Sequence, residues 1–298
     1  MNLKSLWILV LACVATTLSA QKKPLDQSAY DGWKSIVSPK VSENGDWICY
    51  AITPQRGDAL LEFYNAGTKQ TTRIERGGSP AWFNNDTWAT FKIAVPFAKV
   101  RQAKIDKVKT DKMPKDTFAV MNLAEMKVVK LPGAKELKTS AKGALYAYTY
   151  EVTPVKDTTV KDSAAKGNKP PGKYDRLVVV DVRTGDSTVV DSVKNFTVAE
   201  NGRSVLYTRE ADSLKAVYVY TVDPKRGVLQ RELWSSKLGA VSPSLVLDRS
   251  GEQGAFLVTA DTVKHALYDL YYFSTTDLKP RQVADAQIIG LPGGYAVS

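Results

Sequence analysis

With 298 residues, 44% hydrophobic and 24% charged, the chain can form one large or two small globular domains, and its composition excludes a disordered or membrane-embedded protein. The formal charge of +10 is uneven, with twelve Lys or Arg against five Asp or Glu between Lys99 and Lys142. That stretch holds a single aromatic residue, Phe118, so it reads as a solvated lysine-rich connection rather than a nucleic-acid surface.

Residues 1–20 read as a secretory signal. Lys4 is a short basic start, Leu6 to Ala15 is an apolar core too short to span a bilayer, and cleavage is expected between Ala20 and Gln21. Export to the periplasm or the medium of a bacterium follows. An uncleaved anchor, or lipid attachment at Cys13, is the alternative that would bring the chain to a membrane. Signal removal leaves Cys49 as the lone cysteine, so no internal disulfide is expected. Its setting, Trp47-Ile48-Cys49-Tyr50-Ala51-Ile52, is a strand pattern in which Cys49 serves as a small buried hydrophobe.

Residues 21–37 form an N-terminal segment. Asp26 or Ser28 could cap a short helix that places Tyr30 and Trp33 on one face. From 38 to 298 one pattern recurs. Its clearest copy is Arg176–Arg209: a β-branched run Leu177–Val182, a turn at Thr184-Gly185-Asp186, a returning strand, then Asn201-Gly202 ahead of Ser204–Thr208. A turn followed by an alternating strand appears five times, at Asn44-Gly45, Asn85-Asp86, Lys142-Gly143, Asn201-Gly202 and Ser250-Gly251, with spacings of 41, 57, 59 and 49 residues. A second strand type lies between them: Leu60–Tyr64, Phe118–Met121, Leu177–Val182, Val217–Tyr220 and Leu270–Phe273.

A period of about 40–50 residues with four short strands predicts an all-β β-propeller of about five four-stranded blades; a β-sandwich is the alternative. Two insertions lengthen the repeat. Residues 97–115 are expected to hold a short amphipathic helix limited by Pro114, and 154–173, with Pro170-Pro171-Gly172, an exposed loop.

LDQSAYDGWKSI near the start, SENGDWICYAITPQRGDALLEFYN, the turn Glu75-Arg76-Gly77-Gly78 before Ser79-Pro80-Ala81-Trp82-Phe83, and Lys112-Met113-Pro114-Lys115-Asp116 together resemble a known family. They are similar to the N-terminal propeller region of secreted bacterial serine peptidases of the prolyl oligopeptidase family, over most of residues 24–298. The resemblance implies a non-catalytic propeller that covers an α/β-hydrolase active site and admits or binds peptide. It also implies seven or eight blades, so the chain is expected to be a partial propeller. A stand-alone propeller that binds a peptide, glycan or protein partner is the alternative.

No catalytic residue is assigned. There is no Gly-x-Ser-x-Gly elbow, and the one histidine, His265, has no nucleophile near it in sequence. The chain alone is expected to be inactive, with no cofactor and no metal site. Gly77-Gly78 and Gly293-Gly294 lack the setting of a phosphate loop. Family enzymes that trim dipeptides hold a free amino terminus with propeller glutamates. No matching pair occurs here, and Glu210-Ala211-Asp212 reads as a solvated loop. The ending Ile288–Ser298 shows no closing strand, so the last blade is expected to be open. Leu270–Phe273 would then be an edge strand, and the chain would self-associate. Substrate-binding residues stay unassigned.

Overall fold

The computed structural model describes residues 30–154, 172–211, 213–223, 227–260 and 267–285. The signal with its Ala20–Gln21 junction, the caps at Asp26 and Ser28, most of the 154–173 insertion, Asp212, His265 and the ending 286–298 lie outside them.

Twenty strands form five four-stranded sheets, each a consecutive antiparallel meander. Sheet 1 comprises β1 (Lys34–Val41), β2 (Trp47–Pro54), β3 (Leu60–Asn65) and β4 (Thr71–Glu75). Sheet 2 comprises β5 (Gly77–Phe83), β6 (Trp88–Ile93), β7 (Thr117–Asn122) and β8 (Lys127–Leu131). Sheet 3 comprises β9 (Ala134–Thr139), β10 (Leu145–Val152), β11 (Tyr174–Asp181) and β12 (Ser187–Val190). Sheet 4 comprises β13 (Val193–Val198), β14 (Ser204–Ala211), β15 (Leu214–Asp223) and β16 (Gly227–Ser236). Sheet 5 comprises β17 (Ala240–Leu247), β18 (Gln253–Thr259), β19 (Asp269–Ser274) and β20 (Arg281–Ala284). The five turn–strand units read from the sequence are the second strands of these sheets, and the five apolar runs between them fall on the third strands. The first sheet begins at Lys34, inside the stretch expected to precede the blades.

Burial explains why these strands were legible. On β14, Val205 and Tyr207 pack with Leu145, Leu177 and Val179 of sheet 3, while Leu206 packs with Phe256, Val258 and Phe273 of sheet 5. Successive side chains point to opposite faces, so a strand between two neighbouring sheets must be apolar on both. Phe63 of sheet 1 meets Phe91 of sheet 2 at 5.8 Å between ring centroids, and both are buried. Phe83 meets Tyr146 at 6.2 Å across sheets 2 and 3. Each buried aromatic of this kind contributes about 1.5–3 kcal/mol.

The first strand of every later sheet contacts the sheet before it: β5 lies against β1–β3, β9 against β7, β13 against β9–β11, and β17 against β13–β15. The sheets therefore succeed one another as blades of a propeller. Among the described residues, no comparable contact joins sheet 1 to sheet 5. All of β1 is exposed, with Ile36 at 67% and Val41 at 61%.

Each first strand is longer than the stretch of second strand it pairs with, by a bulge of one residue in sheets 1 to 4 and of two in sheet 5. In sheets 1, 2 and 5 this bulge falls at Ser38-Pro39, Ser79-Pro80 and Ser242-Pro243. Proline has no N–H for the ladder, and a bulge is where a strand tolerates that loss. Ser38 and Ser79 take the left-handed conformation there, at φ 53° and 52°.

The turns between first and second strands link sheet to sheet. The Glu43 N–H donates to the Asp86 carboxylate. Asn85 donates from its N–H to Ala141 O at 3.0 Å and from Nδ2 to Lys142 O at 3.0 Å. Lys142 N–H reaches Glu200 O at 2.8 Å, and Asn201 N–H reaches Arg249 O at 3.1 Å. This stacking explains the glycines. A Cβ on Gly143 would sit 2.0 Å from Asn201 O, and one on Gly251 would sit 2.8 Å from the Ala199 Cβ.

Three expectations need correction. The helix in the first insertion, α1 (Phe97–Ile105), buries only Ala103 and leaves Ile105 61% exposed, so it has no apolar face. It ends at Asp106, well before Pro114. The basic stretch 99–142 is more than a connection, because it contains β7, β8 and β9. Leu270–Phe273 is not an edge, because β19 pairs with both β18 and β20.

Candidate functional site

A meander sends its connections alternately to two ends. The stacked turns occupy one, hereafter the turn face. The other, the connector face, holds the starts of first and third strands, the ends of second and fourth strands, and the points at which both long insertions leave and rejoin the sheets. On sheets 3 and 4 its charged side chains form a series of ion pairs.

Lys135, at the bulge of β9, donates to Asp175 Oδ1 at 2.6 Å and Glu151 Oε2 at 3.3 Å. Lys173 reaches the other Glu151 oxygen at 2.8 Å. Arg176 clamps Asp191 through Nε at 2.5 Å and Nη2 at 3.0 Å. That fork is the bidentate arrangement guanidinium and carboxylate favour. Lys173 and then Lys135 lower the pKa of Glu151, and Arg176 lowers that of Asp191. Glu151 and Asp191 are therefore ionised at neutral pH.

The next blade repeats the plan at the bulge of β13, where Lys194 lies 3.6 Å from Glu210. Glu210 was expected in a solvated loop. It stands instead on β14, opposite Lys215 of β15, because the hairpin closes only beyond Ala211. Lys215 in turn donates to Gly239 O.

Arg209 lies between these groups. Its Nε donates to Asp191 O at 3.0 Å, and its guanidinium carbon sits 5.6 Å from the centre of the Tyr218 ring. Tyr218 is itself held by a 2.6 Å hydrogen bond to Glu232 Oε2. Among the described residues, no carboxylate lies within 4.0 Å of the Arg209 nitrogens, whereas Arg176, Arg183 and Arg73 all have one.

Two cavities open beside Arg209. One of about 240 Å³, between sheets 4 and 5, is lined by Lys194, Asn195, Thr208, Glu210, Lys215 and the start of β17. The other, of about 420 Å³ between sheets 3 and 4, is lined by Val189, Val190, Asp191, Tyr207, Tyr218 and Gln230. Arg209 lines both. Burial pushes the Tyr207 hydroxyl up to about 12, so it remains a neutral phenol. The arrangement offers charge, hydrogen bonds and aromatic faces, which is the equipment of a binding site.

The other sequence candidates fall elsewhere. Cys49 is fully buried in the core of sheets 1 and 2, and burial pushes its thiol up to about 11, so it is a packing residue. Gly77 and Gly78 are strand residues of β5. Sequence reading missed Arg209. Its signal was a cation two places beyond Tyr207, on the face of β14 that Val205 and Tyr207 bury.

Five meanders that succeed one another with first strands packed on the preceding sheet define a β-propeller. No family model matches the sequence, and no curated protein matches it. Solved structures similar to the chain include acylaminoacyl peptidase from Pyrococcus horikoshii, with 9% identity and a TM-score of 0.43 over 87% of this chain and 40% of that one. The β-propeller domain of the Trilobed protease from Pyrococcus furiosus is 12% identical, with a TM-score of 0.42 over 84% of this chain and 72% of that one. TolB from Acinetobacter baumannii is 12% identical, with a TM-score of 0.35 over 83% of this chain and 53% of that one. The chain thus spans about two fifths of the length of the acylaminoacyl peptidase.

Proposed function

We propose that this chain is the propeller portion of an exported prolyl oligopeptidase-like serine peptidase, with a connector face that receives peptide at the approach to a hydrolase site. The observation that carries the reading is the contrast between the two faces. One is closed by stacked turns, while the other bears long insertions, a lattice of ion pairs and two cavities. The sequence motifs that resemble the family's propeller support the same reading. Hydrolysis is assigned to a separate α/β-hydrolase domain, and the role of this chain is selection and delivery.

The test is to read the gene beyond the codon for Ser298 and to measure peptide binding by the purified protein. A hydrolase segment with a Gly-x-Ser-x-Gly elbow, in frame or frame-shifted, together with peptide-dependent protection of connector-face amides, is the expected outcome. Unrelated downstream sequence, with protection by a glycan or a protein instead, would replace this reading with that of a stand-alone binding propeller. Mass spectrometry of exported protein should find Gln21 at the N-terminus. Cytoplasmic protein beginning at Met1 would refute export.

A further inference from the structure

We propose that Arg209 and the two cavities it joins form a carboxylate-recognition subsite, which takes the free C-terminus of a peptide that ends in an apolar residue. The proposal rests on the peptide-receiving role assigned above.

Three observations lead there. First, Arg209 is a half-buried cation whose position is fixed by Asp191 O and the Tyr218 ring; the Asp191 and Glu232 carboxylates feel its charge, but Asp191 is clamped by Arg176 and Glu232 by Tyr218, and neither pairs with it directly. Holding a guanidinium in place by its Nε and its flat face leaves its terminal nitrogens to define where an anion would sit. Second, the smaller cavity adds Lys194 and Lys215 against the single acid Glu210, so its wall carries an excess of positive charge. Third, the larger cavity is walled by Val189, Val190, Tyr207 and Tyr218, with Gln230 and with Asp191, whose carboxylate is taken by Arg176, and it can hold an apolar side chain beside the ligand's carboxylate. Asn195 and Thr208 add amide and hydroxyl groups at the rim. An α-carboxylate next to an apolar side chain matches this division. An internal acidic residue would bring the charge without the adjoining apolar body.

The test is calorimetric titration of the full chain with a hexapeptide ending in phenylalanine, as the free acid and as the C-terminal amide. A third peptide is amidated and carries an internal glutamate. Wild-type protein is expected to bind the free acid at least about tenfold more tightly than either amide, a difference of ~1.4 kcal/mol. In R209M that preference should disappear. In R231M, which alters an exposed arginine of β16 away from both cavities, it should persist. If R209M does not fold, by near-UV circular dichroism, the comparison of acid with amide on wild-type protein still decides. Equal affinity for acid and amide, or an R209M protein that keeps the preference, would overturn the subsite and leave peptide binding standing. An internal glutamate that substitutes fully for the free terminus would overturn the C-terminal assignment. If none of the three peptides binds, the peptide-receiving role itself fails, and the subsite with it.

Discussion

Gly143→Ala tests whether stacked turns hold the blades together. Gly143 lies outside the left-handed region, so alanine costs nothing in backbone conformation. The added methyl would lie 2.0 Å from Asn201 O, 2.3 Å from Asn201 C and 2.5 Å from Gly202 Cα. Carbon needs about 3.5 Å from such atoms, so the fourth turn must withdraw by roughly 1.5 Å. Withdrawal strains two links at once, Lys142 N–H to Glu200 O and Asn201 N–H to Arg249 O. Overpacking costs about 1–3 kcal/mol, and each weakened hydrogen bond adds about 1 kcal/mol. Alanine restores about 0.4–1 kcal/mol by restricting the unfolded chain. The net expectation is a loss of about 2–4 kcal/mol, or a melting temperature lower by about 4–10 °C. Gly78 is the control, because nothing lies within 4 Å of its Cβ position and its φ is not positive. Urea and calorimetric unfolding of G143A and G78A provide the comparison. A G143A protein as stable as G78A would refute the claim that the turns are in obligatory contact.

Cys49 should resist an aromatic disulfide reagent in the native protein and react at once in denaturant; rapid native labelling would contradict its burial. Glu62 is 6% exposed, accepts from Tyr50 Oη at 2.7 Å and pairs with Arg73 Nε at 2.7 Å, and these two bonds, Tyr50 first, hold its pKa below the usual range. A depressed carboxylate pKa contributes stability above the unfolded pKa and loses it as pH falls through the folded one. E62Q should therefore be less stable by about 1–2 kcal/mol at pH 7, with the difference from wild type closing in acid; urea titrations at both pH values would show it, and a constant gap would contradict the linkage. The exposed apolar residues Trp33, Ile36, Val37 and Val41 on the uncovered side of sheet 1 are expected to drive self-association that grows with salt as charge repulsion is screened. Light scattering of wild type and I36E across a salt series tests this, and a monodisperse wild-type monomer throughout would contradict it.

The second and third strands were legible because burial on both faces writes runs such as Leu177–Val182 into the sequence. The turns were legible because positive φ and close approach demand Asn, Asp and Gly. First strands were not, and of the fourth strands only β12, the returning strand after Thr184-Gly185-Asp186, was placed by its residues. β1 is wholly exposed, β4 alternates with only half-buried residues, and Ser-Pro pairs resemble turns although they mark bulges. In α1 the spacing of Ala98, Val100, Ala103 and Ile105 suggested an apolar face, but only Ala103 meets the core. The candidate site was hidden for a different reason. Asp191, Arg209, Tyr218 and Glu232 are brought together by strand pairing and blade packing, and no local pattern joins them.

The contrast between the two faces also sets where this architecture can lengthen. On the turn face, Gly143 and Gly202 leave no room for a Cβ between the third and fourth turns, so one added residue in either would displace the other. The connections between second and third strands, at the opposite end, already run from two residues, between β14 and β15, to more than twenty, between β6 and β7, while the sheets concerned keep four strands. A grafted epitope, affinity tag or reporter loop therefore belongs between second and third strands. The span from Gln55 to Ala59 is the position of choice, since it lies farthest from Arg209 in blade order.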